Sequence, residues 1–319
     1  MTVLAYHRIA DPAAPGFQYY PPNVSATPEK FAQQMAYIRE HFNVVDLEAV
    51  NAFLHHGRSL PPRPLLITFD DGYLDNYSHA YPVLKHYGFP AVIFLLTSRM
   101  DNPLPAWWDE CAYYFHHTQR QAATLPLIGE RDLSSPALRR AACEALVGQL
   151  KRIPEAEKLV ALRQAGEALQ VDPPGPDPDL FMAWDHVREL VNAGIACQPH
   201  TVTHPILARV DEEVQRREIV GSCERIREET GQTISAFAYP NGGVGDYTAT
   251  TMQLLRQAGI RTAFTLLTGP LRSQVARQHP LEIPRVYLGG RDTMERFVFK
   301  VMGLPALMEH PPFIGQAAV

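Results

Sequence analysis

Ile67-Thr68-Phe69-Asp70-Asp71-Gly72 decides how the rest of the chain is read. Apolar and β-branched residues run directly into two adjacent carboxylates and a glycine. This is the pattern of a buried strand that delivers two acids to its C-terminal end, where α/β folds keep their chemistry. Adjacent carboxylates repel, so the site must give them different roles or add a cation. His200-Thr201-Val202-Thr203-His204 supplies ligands for such a cation. Its i, i+4 spacing predicts one helical turn with both imidazoles on the same side, close enough to share a metal.

Outward from the acid pair, a helix is predicted over 76–87, closed by Gly88 and kinked or delayed by Pro82. A continuous apolar run follows over 89–97. Strand, helix, strand in that order is a βαβ unit and implies a parallel sheet. Val3-Leu4-Ala5-Tyr6-His7 predicts an opening strand that ends at His7, and residues 12–26 read as a surface loop. Thr27 followed by Pro28 marks one helix start, and Asp46 is the cap of another.

The rhythm breaks between 100 and 180. Trp107-Trp108-Asp109-Glu110 opens a mostly helical stretch there, with amphipathic segments over 137–153 and 155–169. It then resumes with helices over 184–193, 212–230 and 248–258. Strands are predicted at 195–198, 234–239, 262–267 and 282–288. Seven or eight strands separated by helices predict an α/β fold, a barrel of parallel strands rather than an open sheet. The expectation is a single domain over 1–319 with a helical insertion at about 100–180.

Bulk properties narrow the functional classes. Of 319 residues, 46% are hydrophobic and 20% charged, ordinary values for a globular protein. A formal net charge of −5 gives no reason to expect nucleic-acid binding. No apolar run reaches the ~20 residues of a membrane span. Met1 to Arg8 lacks the basic start and long apolar centre of an export signal, which predicts a cytoplasmic protein. A chain trimmed of its signal would read the same way. Cys111, Cys143, Cys197 and Cys223 have no paired spacing and are expected as free core thiols. Proline clusters at 103–105, 173–178 and 311–312 mark loops.

Alone, the acid pair also reads as a helix cap, and the His pair as packed histidines. Together they are stronger, because both stand at predicted strand C-termini that converge on one rim of a parallel barrel. One Asp and two His make a three-ligand site with positions open for water and substrate, the composition of a catalytic metal site. Mixed imidazole and carboxylate ligands suit Zn²⁺, with Co²⁺, Ni²⁺ or Fe²⁺ also possible. The remaining Asp then takes a proton from metal-activated water, which is the apparatus for hydrolysing an amide or ester.

Thr68-Phe69-Asp70-Asp71-Gly72 and His200-Thr201-Val202-Thr203-His204-Pro205 resemble the first two motifs of the polysaccharide deacetylases, the NodB-like carbohydrate esterases. The resemblance covers most of 1–100 and 180–290 and leaves the insertion outside. It implies a distorted (β/α)7 barrel and metal-dependent removal of N-acetyl groups from an amino-sugar glycan or its precursor. It makes Asp70 the general base and Asp71, His200 and His204 the metal ligands, with Thr201 holding the His loop. Phe237-Ala238-Tyr239-Pro240-Asn241-Gly242 is similar to the third motif, so Tyr239, Pro240 and Asn241 are expected at the substrate groove, with a backbone N–H near Tyr239 facing the oxyanion.

Two departures stand out. The third motif lacks its usual Arg, and the late motif Leu281-Glu282-Ile283-Pro284-Arg285 ends in Arg where a catalytic His is usual. The chain is similar to exopolysaccharide deacetylases with a permuted motif order, which begin with a strand ending in Tyr-His. In that reading His7 is the general acid and Arg285 orients Asp70. Trp107 and Trp108 are either a sugar platform or the anchor of the insertion. Tyr19, Tyr20, Tyr73 and Tyr247 are further groove candidates. The expected partner is a carbohydrate. Two other functions stay open: an amide hydrolase or deformylase acting on a non-polysaccharide or lipid-linked substrate, and an inactive carbohydrate-binding homologue.

Overall fold

The computed structural model describes residues 1–267 and 273–303; the Pro311-Pro312 pair and the last stretch of the expected domain lie outside them. Seven parallel strand segments form the centre. They are β1 (Thr2–Tyr6), β2 (Pro64–Phe69), β3 (Val92–Leu95), β4 (Ala196–Pro199), β5 (Ala236–Ala238), β6 (Thr262–Phe264) and β7 (Val286–Tyr287). β7 pairs with β1, β1 with β2, β2 with β3, β3 with β4, and β5 with β6, all in parallel. A parallel bridge from Phe264 to Ile283 joins β6 to the segment that continues into β7.

The strands are mostly apolar because both faces are buried, with Thr68, Gln198 and Thr262 as buried polar exceptions. Alternate residues sort into two cores. Val3, Leu66, Val92, Phe94, Ala236, Ala238 and Phe264 pack inside the barrel, closed below by Val50, Phe53 and Leu54 of the helix Leu47–His56. Leu4, Tyr6, Leu65, Ile67, Phe69 and Ile93 point outward against the surrounding helices.

The barrel is distorted at the seam between β4 and β5, where no ladder forms. Gln198 replaces it with one side chain. Its Oε1 accepts from the N–H groups of Ser235 (2.9 Å) and Ala236 (3.0 Å). Its Nε2 donates to Thr233 O at 3.1 Å. The amide thereby pairs backbone groups that would otherwise be buried and unsatisfied.

Register sets the functional rim. Tyr6 pairs with Phe69 and Leu95 with Pro199. His7 and Asp70 are each the next residue and leave side by side, whereas Phe69 pairs with Ile93 and Ile93 with Cys197, so His200 leaves β4 two residues farther along the register on the same rim. Val286 pairs with Leu4, which places Arg285 several residues deeper.

Several local expectations match the structure. Thr27 caps the helix Pro28–His41, Asp46 caps Leu47–His56, and left-handed Gly231 ends Glu212–Thr230. Pro82 marks a change of helix type: Asn76–Ala80 is a π-turn and Tyr81–Tyr87 is α-helical. The wide turn accommodates a proline ring that would otherwise meet the preceding carbonyl.

Two expectations need correction. Residues 12–26 are not wholly a surface loop, since Val24–Ala26 is a buried strand parallel to Arg8–Ile9. It is too short and too close to Pro21-Pro22 for any period to show. The insertion carries the helices Trp107–His117, Pro136–Leu150 and Glu155–Leu169, as expected, but also an antiparallel hairpin of Ala122–Leu125 with Gly129–Asp132. That hairpin's alanine, glutamate and aspartate have low strand propensity, and only Ala123 and Leu125 are buried to mark its alternation.

Gln198→Leu keeps the volume and removes the stitch. It should destabilise the protein by roughly 2–5 kcal/mol, because several buried backbone groups lose their partners together. Denaturant titration of the two forms measures this.

Candidate active site

The acid pair leaves β2 through a tight left-handed bend, with φ of 73° at Asp71 and 77° at Gly72. Gly72 is required there, because a Cβ would also lie 2.9 Å from Met100 Cε and 3.0 Å from Leu95 Cδ2. The bend turns the two carboxylates to different neighbours, although each residue is only 1% exposed.

Asp70 faces Arg285, which rises from inside the barrel. Nη1 donates to Oδ1 at 2.6 Å and Nη2 to Oδ2 at 2.7 Å, a two-pronged ion pair. Nε donates to Thr265 O, and Nη1 also reaches Thr68 Oγ1. The Thr68 hydroxyl in turn donates to Leu4 O. Burial pushes the Asp70 carboxyl up, but Arg285 and the His200 and His7 rings outweigh it and leave it at about 2.

Asp71 has no such partner. Its Oδ1 is buried and accepts no hydrogen bond among the described residues. Burial raises its pKa well above the ordinary carboxylate value, and the charges of Asp70 and Asp109 add to the effect. His200 Nε2 and His204 Nε2 each stand 3.6 Å from that oxygen. One ligand atom from each of the three residues lies within 4.8 Å of the others. His200 Nδ1 is 2.7 Å from Ala238 O, which places the ring proton on Nδ1 and leaves the Nε2 lone pair facing Asp71. Burial pushes both imidazoles down, toward the uncharged form a metal needs. A buried orphan carboxyl facing the Nε2 atoms of two imidazoles fits a divalent cation.

The imidazoles do not meet by helical spacing, which corrects the sequence expectation. His200 to His204 is an irregular loop with left-handed residues at Thr201 (φ 72°) and His204 (φ 66°). Thr201 Oγ1 accepts from His204 N at 3.0 Å. Glu218, on the helix Glu212–Thr230, accepts from Val202 N, Thr203 N and Thr203 Oγ1. Four of the seven non-glycine residues with positive φ among those described are Asp71, Thr201, His204 and Asn241. Backbone strain is thus concentrated at this rim.

His7 extends the register of β1. Its Nε2 is 4.0 Å from Asp70 Oδ2. Burial lowers its pKa to about 4, with Asp70 opposing and Arg285 and His200 reinforcing the shift. A cavity of about 360 Å³ opens over these groups. His7, Asp70, Asp71, His200 and His204 form its floor. Trp108, Tyr20 and Asn241 stand on its walls with Tyr287 and Lys151, which sequence reasoning missed.

Other expected groove residues lie elsewhere. The Tyr239 ring is buried, stacks on Tyr247 at 4.1 Å and donates its hydroxyl to Leu281 O. Its N–H donates to Phe264 O and is therefore not free for an oxyanion. Pro240 has no N–H and does not line the cavity. The Asn241 N–H donates to nothing among the described residues. The two tryptophans divide the roles proposed for them. Trp108 packs edge-on against His204 at 4.6 Å, whereas Trp107 lies under the Lys158 ammonium inside the insertion. Tyr73 is buried against Asp109 and Trp108, and Tyr19 borders other cavities. Glu218 left no signal in sequence, being one acid among many on a charged helix.

The sequence profile described as Polysaccharide deacetylase matches residues 57–263. The chain belongs to the polysaccharide deacetylase family. The family generally depends on a divalent metal. Among solved structures, Streptococcus pyogenes deacetylase PplD in complex with acetate is 19% identical and superposes with a TM-score of 0.63, over 94% of this chain and 97% of that one. IcaB from Ammonifex degensii is 20% identical with a TM-score of 0.58, over 94% and 95%. At that identity they establish a shared fold, the distorted (β/α)7 barrel. In sequence, Bacillus subtilis YxkH is 33% identical over 104 residues, 32% of this chain and 34% of that protein. The poly-beta-1,6-N-acetyl-D-glucosamine N-deacetylase of Escherichia coli is 30% identical over 101 residues, 31% of this chain and 14% of that protein. The matched segments thus span about a third or less of these curated relatives.

Arg285→Met leaves Asp70 as an uncompensated buried charge and should cost about 3–5 kcal/mol in a denaturation experiment. Arg285→Lys should recover only part of that, because an ammonium cannot make the two-pronged contact. Glu218→Ala releases the His loop and should weaken zinc binding by roughly 10–100-fold in calorimetry while the fold persists.

Proposed function

We propose that this protein is a metal-dependent hydrolase that removes N-acetyl groups from an amino-sugar glycan or glycan precursor. The observation that carries this reading is the juxtaposition on one rim. Asp71, His200 and His204 present three metal-ligand atoms beside an Asp70 that Arg285 holds ionised. The relatives named for N-deacetylation of a poly-N-acetylglucosamine support the substrate class.

Asp71, His200 and His204 would hold a divalent cation, most simply Zn²⁺. Such a cation supplies Lewis-acid polarisation of the acetyl carbonyl and lowers the pKa of a bound water. Asp70, fixed at both oxygens, orients that water and accepts its proton. The His7 imidazole is uncharged at neutral pH, because its pKa is about 4. Its proton therefore arrives during the reaction, from the water by way of Asp70. His7 Nε2 stands 4.0 Å from Asp70 Oδ2 and passes the proton to the departing amine nitrogen. A ring with so low a pKa releases a proton readily. The Asn241 N–H is the free backbone donor on the cavity wall for the oxyanion. Arg285 supplies the orienting charge that the third motif lacks, and Trp108 offers an apolar face to the sugar ring.

Acetate release from N-acetylglucosamine oligomers by the zinc-loaded protein tests this directly. Release should stop on chelation and return with Zn²⁺ or Co²⁺. Asp71→Asn should abolish metal uptake in calorimetry. His7→Ala should keep the metal and lose about 10²–10⁴-fold in turnover. A metal-loaded protein that frees no acetate, or a fully active His7→Ala, would overturn the reading.

A further inference from the structure

The insertion does more than pack on the barrel. Lys151, which immediately follows its helix Pro136–Leu150, lines the same cavity as the Asp71, His200 and His204 cluster. The chain has five lysines, and four have partners. Lys30 donates to Gly290 O, Lys85 lies over the Tyr81 ring, Lys158 pairs with Glu155, and Lys300 pairs with Asp292. The Lys151 ammonium makes no hydrogen bond or ion pair among the described residues.

Its surroundings are set for a guest of opposite charge. Burial depresses the Lys151 pKa, and Asp71 and Asp246 only partly oppose that. Of the two acids on the cavity floor, Asp70 is already neutralised by Arg285. Asp71 would be more than neutralised by a divalent cation. A loaded cavity is then net positive before Lys151 is counted, and a neutral acetamido sugar leaves that charge unbalanced. The same helix continues the theme. Arg139 and Arg140, with one acid, Glu144, border an adjoining cavity of about 350 Å³, with Tyr20 forming part of the wall of both.

We propose that Lys151 is a substrate-specificity residue that receives an anionic substituent, a carboxylate or a phosphate, carried by the sugar bound over the Asp71, His200 and His204 cluster. The proposal rests on the sugar-hydrolase reading above and narrows it from amino-sugar glycans in general to acidic ones. A barrel shared with other family members would then take its preference from an insertion outside the shared motifs.

Equilibrium binding to the zinc-loaded full chain separates this from catalysis, using sugars that lack the acetamido group and cannot be turned over. The probes are glucose, glucuronate and glucose 1-phosphate, with acetate and inorganic phosphate as sugar-free controls. Glucuronate or glucose 1-phosphate should bind more tightly than glucose, and whichever does identifies the anion. That advantage should fall about tenfold or more in Lys151→Met, as expected for losing one charged hydrogen-bond partner, and return in Lys151→Arg. Three results overturn the proposal: no advantage for either acidic sugar, an advantage that survives in Lys151→Met, or an equal loss for acetate and phosphate alone. The broader reading fails separately, by absence of zinc uptake or of acetate release from neutral and acidic N-acetylated sugars alike.

Discussion

Two carboxylates, adjacent in sequence and each about 1% exposed, cannot both be accommodated in the same way. The structure resolves the conflict by turning them apart. Asp70 is matched at both oxygens by a guanidinium that is itself buried, and stays ionised. Asp71 is left with an oxygen that no donor satisfies among the described residues, facing the Nε2 atoms of two imidazoles. One acid is thereby held as a fixed anion, and the other keeps a buried oxygen beside two imidazole nitrogens. The left-handed bend at Asp71 and Gly72 makes the division possible, and a residue larger than glycine at 72 would press on Met100 and Leu95.

The surrounding fold holds that division in place. β1 and β2 run in register, so His7 emerges beside Asp70, while β3 and β4 carry His200 to the same rim, two residues farther along the register. Arg285 starts lower and reaches up through the barrel past Phe94. Thr201 and Glu218 tie down the irregular loop between the two histidines. The open seam between β4 and β5 is held by the Gln198 amide, one residue below Pro199, and the Ala238 carbonyl across that seam fixes the His200 tautomer. Gln198, which holds the seam, and His200, whose ring is fixed across it, are only two residues apart.

Family membership sets the chemistry that this rim can perform, and the residues outside the shared motifs set how it differs. The insertion supplies Trp108 and Lys151 to the cavity walls, one an aromatic ring and the other a cation without an ion-pair partner among the described residues. Tyr20, from a segment that reads as plain loop, lines both the cavity over the acid pair and its neighbour.

The sequence by itself determined the barrel class, most strand positions, the helix caps at Thr27 and Asp46, and the six polar residues of the cavity floor and its brace. These were legible because each is a local signal: an apolar run ending in acids, a cap, a paired histidine spacing, a Tyr-His at a strand end. Only tertiary structure decided how they meet. The histidines converge through two left-handed residues rather than a helical turn, which spacing alone cannot distinguish. The Tyr239 ring and N–H are spent on Leu281 and Phe264, partners distant in sequence. Val24–Ala26 and the hairpin of the insertion are too short to show a period. Lys151 and Glu218 gave no signal, because a lone lysine or a helix acid acquires a role only from what folding places opposite it.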